Sequence, residues 1–456
     1  MNIKKFFKQA FSTVLIVSCV LTSSVVNAEE DFAQKIQTLT AQIQSNPDSP
    51  EAYFNRGNAY VDLEQYEQAI ADYNKAIELN PNYASAYNNR GYAYGNLNQY
   101  EHAIVDYNKA IELNPNYASA YNNRGYAYDS LNQYEHAIVD YNKAIELNPN
   151  YASAYNNRGY AYDNLNQYER AIVDYNKAIE LNPNYASAYN NRGYAYDNLN
   201  QYERAIVDYN KAIELNPNYA SAYNNRGYDY YRLKKYKQAI QDLNKAIELN
   251  PNYDIAYNNR GLVYDRLEKH ERAIADYNRA IKIDPNYAVA YFNRGNVYFN
   301  LKQYERAIQD FSRAIELNPN YASAYNNRGH AYYCLEQYEQ ALQDFNKAIE
   351  IDPNDAVAYN NCGHTYKHLG QYERAIQDFS RAIELNPNYA SAYYSRGDIR
   401  FMKKNYEQAA TDFSKFINLE PNEPDGYEMR GKCYQALGDN QKAQADFDKA
   451  KQLSKN

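Results

Sequence analysis

The chain has 456 residues and a formal net charge of −8, with 48 lysines and arginines against 56 aspartates and glutamates. This balance argues against nucleic acid as the partner, because proteins that bind it concentrate positive charge on one surface. The chain has four cysteines, and one of them, Cys19, lies in a predicted leader. The odd number that remains predicts no disulfide framework.

Residues 1–28 have the pattern of a cleaved export signal. Three lysines precede the apolar residues 10–26, and small residues lead up to Ala28, where a signal peptidase would cut. We therefore expect an exported protein, whether periplasmic, on the cell surface or secreted, with no membrane span after signal cleavage. Because Cys19 lies in a stretch similar to a lipoprotein processing box, lipid anchoring at Cys19 is the alternative.

Residues 29–49 predict a single helix. Phe32, Ile36, Leu39 and Ile43 follow helical spacing ahead of a proline. The same apolar spacing recurs in the second half of most of the later units, so this segment is interpreted as half a unit. We expect it to cap the N-terminal end of the array.

From residue 50 onwards the sequence repeats every 34 residues. Residues 152–185 and 186–219 are identical, and prolines recur at the same interval from Pro47 to Pro421. A period in this range predicts a stacked array rather than one globular core. The twelve repeats are 50–83, 84–117, 118–151, 152–185, 186–219, 220–253, 254–287, 288–321, 322–355, 356–389, 390–423 and 424–456.

Each repeat predicts two helices, as residues 186–219 illustrate when they are numbered as positions 1 to 34. Tyr189, Gly193 and Tyr196 share one face of a first helix, and a second apolar stripe runs through residues 202–213. Only a short turn separates the two stripes. The helices are therefore predicted to lie antiparallel.

The end of the same repeat gives three further expectations. Pro217 disfavours the helical conformation at Asn216 and is predicted to end the second helix. Asn218 is the candidate N-cap of the next helix. Ile213, at position 28, is expected to be buried between repeats.

In the last repeat, polar residues at the positions that would pack on a following repeat predict the end of the array.

These residues resemble the tetratricopeptide repeat, whose signature includes Gly at position 8, Ala at position 20 and Pro at position 32. Gly and Ala occupy these positions in all twelve repeats, from Gly57 to Gly431 and from Ala69 to Ala443. The sequence departs from the signature with Tyr for Trp at position 4 and Arg for Leu at position 7. The resemblance implies an all-α fold, a right-handed α-solenoid superhelix of tandem helix-turn-helix hairpins.

Position 7 is Arg in eleven repeats, with Cys362 as the exception, and position 23 is Asp in all twelve. A buried charge without a partner is costly, on the order of 3–5 kcal/mol when one member of a pair is lost. We therefore expect the two side chains to pair across helices, within a repeat or between neighbours.

Position 6 is Asn in ten consecutive repeats, on the side of the first helix that the resemblance places in a concave groove. A primary amide has donors and an acceptor for the backbone of an extended peptide, and a similar asparagine ladder in the family holds substrate backbones. The alternative is an interhelical hydrogen bond to the neighbouring repeat. The predicted peptide-binding residues are Asn55, Asn89, Asn123, Asn157, Asn191, Asn225, Asn259, Asn293, Asn327 and Asn361, with Tyr126, Tyr160 and Tyr194 adding apolar surface.

Repeats nine and ten carry His330, Cys334, His364 and His368 on the same side of their first helices. Each pair has i,i+4 spacing, which could gather ligands for zinc or copper. Variation at exposed positions explains these residues equally simply, so no metal and no cofactor are predicted. Neither a catalytic motif nor a fused catalytic domain is recognisable, and we expect a non-enzyme.

The predicted function is an exported scaffold that binds a protein or an extended peptide in the groove. Members of the family that grip a C-terminal carboxylate use basic residues at positions 2 and 5, where this chain has mostly Ser and Asn. The alternative function is a structural spacer of the cell envelope or extracellular matrix without a specific ligand, which near-identical repeats favour. The partner's identity and the oligomeric state are left open.

Overall fold

The computed structural model describes residues 31–454, and every regular element in this range is an α-helix. The predicted leader and Cys19 lie outside the described residues, so export and lipid anchoring stay predictions. Within residues 31–454, no helix combines the length and apolar character that a membrane span requires.

Helix α1 covers residues 31–45. The first helices of the twelve repeats are α2 (Pro50–Asp62), α4 (Ala84–Asn96), α6 (Ala118–Ser130), α8 (Ala152–Asn164), α10 (Ala186–Asn198), α12 (Ala220–Arg232), α14 (Asp254–Arg266), α16 (Ala288–Asn300), α18 (Ala322–Cys334), α20 (Ala356–His368), α22 (Ala390–Met402) and α24 (Pro424–Ala436). The second helices are α3 (Tyr66–Leu79), α5 (Tyr100–Leu113), α7 (Tyr134–Leu147), α9 (Tyr168–Leu181), α11 (Tyr202–Leu215), α13 (Tyr236–Leu249), α15 (His270–Ile283), α17 (Tyr304–Leu317), α19 (Tyr338–Ile351), α21 (Tyr372–Leu385), α23 (Tyr406–Leu419) and α25 (Asn440–Leu453).

The chain divides into two compact units, one ending at Leu233 and one beginning at Lys234. Within each unit, the two helices of a repeat pack together, and the second helix also packs on the first helix of the following repeat. This nearest-neighbour packing is the architecture of a solenoid. The predicted all-α solenoid of helical hairpins is confirmed.

The turn inside each repeat passes through one residue with a positive φ angle at position 15. Asn200 has φ of 57°, and Gly370 has φ of 69°. Asn and Gly enter this left-handed region more readily than other residues. The left-handed residue lets two helices meet after a turn of only three residues, Leu199, Asn200 and Gln201.

The predicted cap between repeats is wrong in detail. Helix α12 begins after Tyr219, which forms no side-chain capping bond. Asn216 closes the bend instead, because its Oδ1 accepts a hydrogen bond from the backbone N–H of Asn218 at 3.1 Å. Pro217 and Asn218 occupy the turn itself, so Asn218 lies one residue too early to cap the helix.

One aromatic ring and several alanines form the core of each repeat. Tyr209, Ala205 and Ala212 are fully buried. A Cβ atom on Gly193 would lie 2.7 Å from Cε1 of Tyr209, which is too close for any side chain without a shift. Glycine at position 8 therefore permits the close approach of the two helices.

The prediction that Ile213 is buried between repeats is wrong, because this side chain is only half-buried. Its counterpart Ile315 is buried in a cluster with Phe292. The fifth repeat has Asn190 at the position of Phe292. The first repeat has phenylalanine there, yet its Ile77 is also only half-buried, so position 5 alone does not decide the burial of position 28.

Helix α1 occupies the place of a second helix ahead of the first repeat. Leu39 and Ile43 are buried. Thr40 Oγ1 accepts a hydrogen bond from Arg56 Nη1 at 3.1 Å. Arginines of later repeats donate to the preceding second helix in the same way, which agrees with the interpretation of this segment as half a repeat.

Candidate peptide-binding face

A bidentate ion pair links the two helices in most of the repeats. Arg192 donates from Nε and Nη2 to Asp208 Oδ2 and Oδ1 at 2.7 and 2.6 Å. The Asp208 side chain is 5% exposed and that of Arg192 is 19% exposed. The predicted pairing of positions 7 and 23 is confirmed within the repeat. The same pair forms between Arg56 and Asp72, Arg90 and Asp106, Arg124 and Asp140, Arg158 and Asp174, Arg260 and Asp276, Arg294 and Asp310, Arg328 and Asp344, Arg396 and Asp412, and Arg430 and Asp446.

The remaining guanidinium nitrogen joins neighbouring repeats. Arg192 Nη1 donates to Asn176 Oδ1 of the preceding second helix at 2.6 Å. The Arg192 guanidinium also lies 5.6 Å from the ring centroid of Tyr189. Position 7 therefore has a structural role, and the arginines are not free to bind a ligand.

The tenth repeat lacks this arginine. Cys362 is 1% exposed, and its Sγ lies 4.0 Å from Asn346 Oδ1. Asp378, at position 23 of the same repeat, therefore has no arginine at position 7 from which it could accept hydrogen bonds. Burial raises the pKa of Asp378 to about 6, although the nearby charge of Arg374 lowers it. The carboxylate of this repeat is therefore poorly compensated.

The asparagines at positions 5 and 6 form a hydrogen-bonded chain, which we name the asparagine rail. Asn191 Nδ2 donates to Asn156 Oδ1 of the preceding repeat at 3.2 Å, and Asn190 Nδ2 donates to Asn191 Oδ1 at 3.3 Å. Asn225 Nδ2 continues the chain to Asn190 Oδ1 at 3.3 Å. The interhelical bond that was the alternative to peptide binding is therefore present.

Other links between repeats are Asn89 to Asn58, Asn123 to Asn88, Asn157 to Asn122, Asn293 to Asn258, Asn327 to Asn296 and Asn361 to Asn326. Where position 5 is Phe54 or Phe292, the acceptor moves to position 9, which is Asn58 or Asn296 in those repeats. Asn157 and Asn191 each use one N–H and one lone pair in these links, so each retains a second N–H and a second lone pair. Peptide binding by the asparagines stays a prediction, and Asn55 and Asn259 belong to the same predicted set.

The rail ends after the tenth repeat. Ser395 replaces asparagine at position 6 of the eleventh repeat. Asn360 Oδ1, which would accept the next link, is buried without a hydrogen-bond partner. The end of the run of asparagines in the sequence thus coincides with an unsatisfied acceptor.

Tyrosines at position 9 lie exposed on the side of the first helices that carries positions 2, 6, 9 and 13, which we name the first-helix face. Two cavities, of about 390 and 460 Å³, open on this face within the first compact unit. Tyr126 and Asn157 line both cavities, and Tyr160 and Asn191 line the larger one. The exposed tyrosines are Tyr92, Tyr126, Tyr160 and Tyr194, at 46–55% exposure.

Sequence reasoning missed two carboxylates at position 12 of the first helices, which lies beside this face. Asp129 and Asp163 are 8% and 7% exposed, and Oδ1 of each has no hydrogen-bond partner. Burial raises the pKa of each to about 7, although a hydrogen bond from the Tyr175 hydroxyl to Asp163 Oδ2 at 2.7 Å opposes the shift for Asp163. Asp129 lines the larger cavity. One signal was present in the sequence: neither aspartate has a basic residue three or four positions away on its helix, so neither can form a helical ion pair.

A pair of carboxyls follows in the next two repeats. Asp229 is fully buried and shares a side-chain hydrogen bond with Asp197 of the preceding repeat. Burial and the adjacent Asp197 raise the pKa of Asp229 to about 9, while the charge of Arg232 opposes the shift. Because close carboxyls resist double ionisation, this pair retains a proton at neutral pH.

His330 and His364 line one cavity of about 300 Å³, but the four candidate ligands do not form a metal site. Residues 31–454 contain no group of three or more His, Cys, Asp or Glu side chains placed to hold a metal ion. Each imidazole packs against an aromatic ring at a centroid distance of 4.9–5.4 Å: His330 on Phe299, His364 on Phe379, and His368 on Tyr338. Cys334 is half-buried as a free thiol. Burial lowers the pKa of His364 to about 4, so this ring is neutral. Aromatic packing accounts for the histidines.

Comparison with known proteins gives the family. Models described as tetratricopeptide repeat match residues 84–117, 118–151, 152–185, 186–219, 220–253, 288–321, 322–355 and 356–389, and others match 243–275, 379–410 and 424–456. A related model, described as TPR repeat, matches 57–98 and 266–302. A search of curated protein sequences finds no match.

Among solved structures, the chain is similar to one in the crystal structure of the APC/C hetero-tetramer Cut9–Hcn1. The two chains are 15% identical with a TM-score of 0.49, over 89% of this chain and 93% of that chain. The family assignment rests on the repeat models, since one of them alone matches more than half of the chain. The protein belongs to the tetratricopeptide repeat family of protein-interaction scaffolds.

Proposed function

We propose that the protein is an exported, non-enzymatic scaffold that binds an extended polypeptide along the first-helix face of repeats two to five. The observation that carries this proposal is the row of half-exposed tyrosines beside the two cavities. The pattern of residues 1–28 supports export.

The chemistry of the face suits a polypeptide in two ways. Tyrosine supplies a large apolar surface that loses little conformational entropy on binding, together with a polar hydroxyl. The asparagine rail retains unused donors and acceptors for a peptide backbone. Tyrosines would therefore supply most of the affinity, and amides such as Asn157 and Asn191 would fix the peptide's register.

A structural spacer is the second candidate. The asparagine rail and the arginine bonds to preceding repeats use positions 5, 6 and 7 to hold neighbours together. Residues 152–185 and 186–219 are also identical, as expected if array length is what matters. A spacer would need no ligand on the exposed tyrosines of the first-helix face.

The experiment selects binders from a displayed library of random peptides and measures their affinity for the full-length protein. The test variant combines Tyr126→Ala, Tyr160→Ala and Tyr194→Ala. The matched control combines Val139→Ala, Val173→Ala and Val207→Ala, which removes three exposed apolar side chains from the second helices of the same repeats. Circular dichroism checks that both variants fold.

Selected peptides should bind the tyrosine variant at least tenfold more weakly than the wild type, and the valine variant should bind within twofold of it. Equal affinity for the tyrosine variant, or no selected peptide at all, would overturn peptide binding on this face. The spacer would then be the better explanation.

A further inference from the structure

Buried carboxylates beside the first-helix face point to the chemistry of the partner. We propose that this face binds a cationic polypeptide and that Asp129 and Asp163 each receive one lysine or arginine side chain. This inference rests on the proposed function, because it specifies the ligand of the same surface.

The first argument is the unsatisfied chemistry of the two carboxylates. A buried carboxylate without a donor is costly, and native proteins usually satisfy such groups. Oδ1 of Asp129 and Oδ1 of Asp163 have no hydrogen-bond partner, and Asp129 borders the larger cavity. An ammonium or guanidinium group in that cavity would bring the opposite charge to Asp129, and a small shift of the buried carboxyl would let it donate to Oδ1.

The second argument is an internal comparison with the next repeat. Asp197 is the third aspartate at position 12, and the chain itself places a cation near it. The Arg232 guanidinium lies 4.9 Å from the ring centroid of Tyr202, donates to the Tyr202 hydroxyl, and opposes the rise that burial causes in the pKa of Asp197. Asp197 also shares a hydrogen bond with Asp229, at a position that is alanine in the two preceding repeats. A guanidinium thus fits beside position 12, here next to a pair of carboxyls.

The two preceding repeat junctions lack that internal cation. Arg232 is at position 13 of its repeat, where the fourth and fifth repeats have Asn164 and Asn198. Both amides donate to carbonyls of their own helices, Tyr160 O and Tyr194 O, at 3.0 Å. Neither amide brings a positive charge to Asp129 or Asp163, and an open cavity lies beside Asp129.

Aromatic rings beside the cavity favour the same ligand. Tyr126 and Tyr160 line the cavity that Asp129 borders. The face of a tyrosine ring attracts a lysine or arginine cation, and more strongly when water is excluded. A neutral peptide would use the rings but leave the carboxylates unpaired.

The experiment compares two synthetic peptides by calorimetry with the full-length protein at fixed ionic strength. One peptide alternates lysine and serine, and the other replaces each lysine by glutamine. The test variant combines Asp129→Asn and Asp163→Asn. The matched control combines Glu146→Gln and Glu180→Gln, which removes two exposed carboxylates from the second helices of the same repeats.

The lysine peptide should bind the aspartate variant at least tenfold more weakly than the wild type, because hydrogen bonds to charged groups are strong. The glutamate variant should bind within twofold of the wild type. Affinity for the wild type should also rise between pH 6 and pH 8, by about tenfold per carboxylate whose pKa is near 7. The ionisable groups that face these two carboxylates are phenols, which do not titrate in that window: Tyr134, Tyr141, Tyr168 and Tyr175.

Equal loss in the aspartate and glutamate variants would overturn the proposal, because long-range attraction to the net negative charge would explain binding. Glutamine and lysine peptides of equal affinity would overturn the cation sites but leave the peptide-binding face standing. If neither peptide binds, the cation sites are wrong, and the selected random peptides still decide the proposed function. Spermine that binds as tightly as the lysine peptide, with the same dependence on Asp129 and Asp163, would overturn a polypeptide as the ligand.

Discussion

Cys362→Arg should stabilise the tenth repeat. Every other repeat has Arg at position 7, and in the fifth repeat Arg192 pairs with Asp208 and donates to Asn176 of the preceding repeat. Asp378 and Asn346 occupy the equivalent positions around Cys362. The new guanidinium could therefore donate hydrogen bonds to Asp378 and Asn346, as Arg192 does to Asp208 and Asn176.

The magnitude follows from the carboxylate. Burial raises the pKa of Asp378 to about 6 from an ordinary value of 3.8. A shift of this size corresponds to about 3 kcal/mol of lost stability at neutral pH. Because Asp378 is only half-buried, solvent screening reduces the recoverable part, and we expect a gain of about 1–2 kcal/mol.

The gain should depend on pH in a defined direction. The raised pKa means that folded wild-type protein binds a proton at Asp378 more tightly than the unfolded chain does. Wild-type stability is thus favoured below pH 4 and is lost as the pH rises through 6. Cys362→Arg removes this loss, so its advantage should be complete at pH 7 and above and should shrink as the pH falls to 4.

Urea unfolding followed by circular dichroism would measure the gain, with hydrogen exchange in α20 and α21 to localise it, because arrays unfold locally. Cys362→Leu is the control, since it fills the site without charge and leaves Asp378 unpaired. The reasoning fails if the arginine variant is no more stable than the leucine variant at pH 7, or if its advantage is the same at pH 4 and pH 7.

Three further changes test the contacts that join helices. Asp208→Ala should lower the free energy of unfolding by about 3 kcal/mol. This is the lower end for losing one partner of a buried ion pair, because the Arg192 side chain keeps some exposure. An unchanged urea midpoint would contradict the pairing. Gly193→Ala should destabilise the fifth repeat by about 1–3 kcal/mol, because the new Cβ overpacks against Tyr209. At Gly370 a new Cβ meets nothing within 4 Å, so Gly370→Ala should destabilise only through the positive φ of that residue. Hydrogen exchange of each repeat would separate the two glycine variants. Asn157→Ala, Asn191→Ala and Asn225→Ala together should lower stability by about 1 kcal/mol per asparagine, because each change breaks links of the rail; unaltered unfolding would show that the rail contributes nothing to the fold.

The amino-acid sequence by itself determined the architecture, because the signals for it are local and repeated. A 34-residue period, helical spacing and a proline at the end of each repeat identify hairpins that stack. The pairing of Arg192 with Asp208 could also be predicted, since a charge at an apolar position needs an opposite charge nearby. Only its geometry, and the third bond to Asn176, required the structure.

Only the tertiary structure decided where polar side chains find their partners. The amide of Asn191 has the same donors and acceptor whether it faces a peptide or Asn156 of the neighbouring repeat, so its sequence position cannot distinguish the two. Burial of Ile213 depends likewise on how closely neighbouring helices pack over it, and the spacing within its own helix does not show that. Asp129 resembles an ordinary surface carboxylate in the sequence, and only the packing of adjacent first helices around it removes its solvent and raises its pKa.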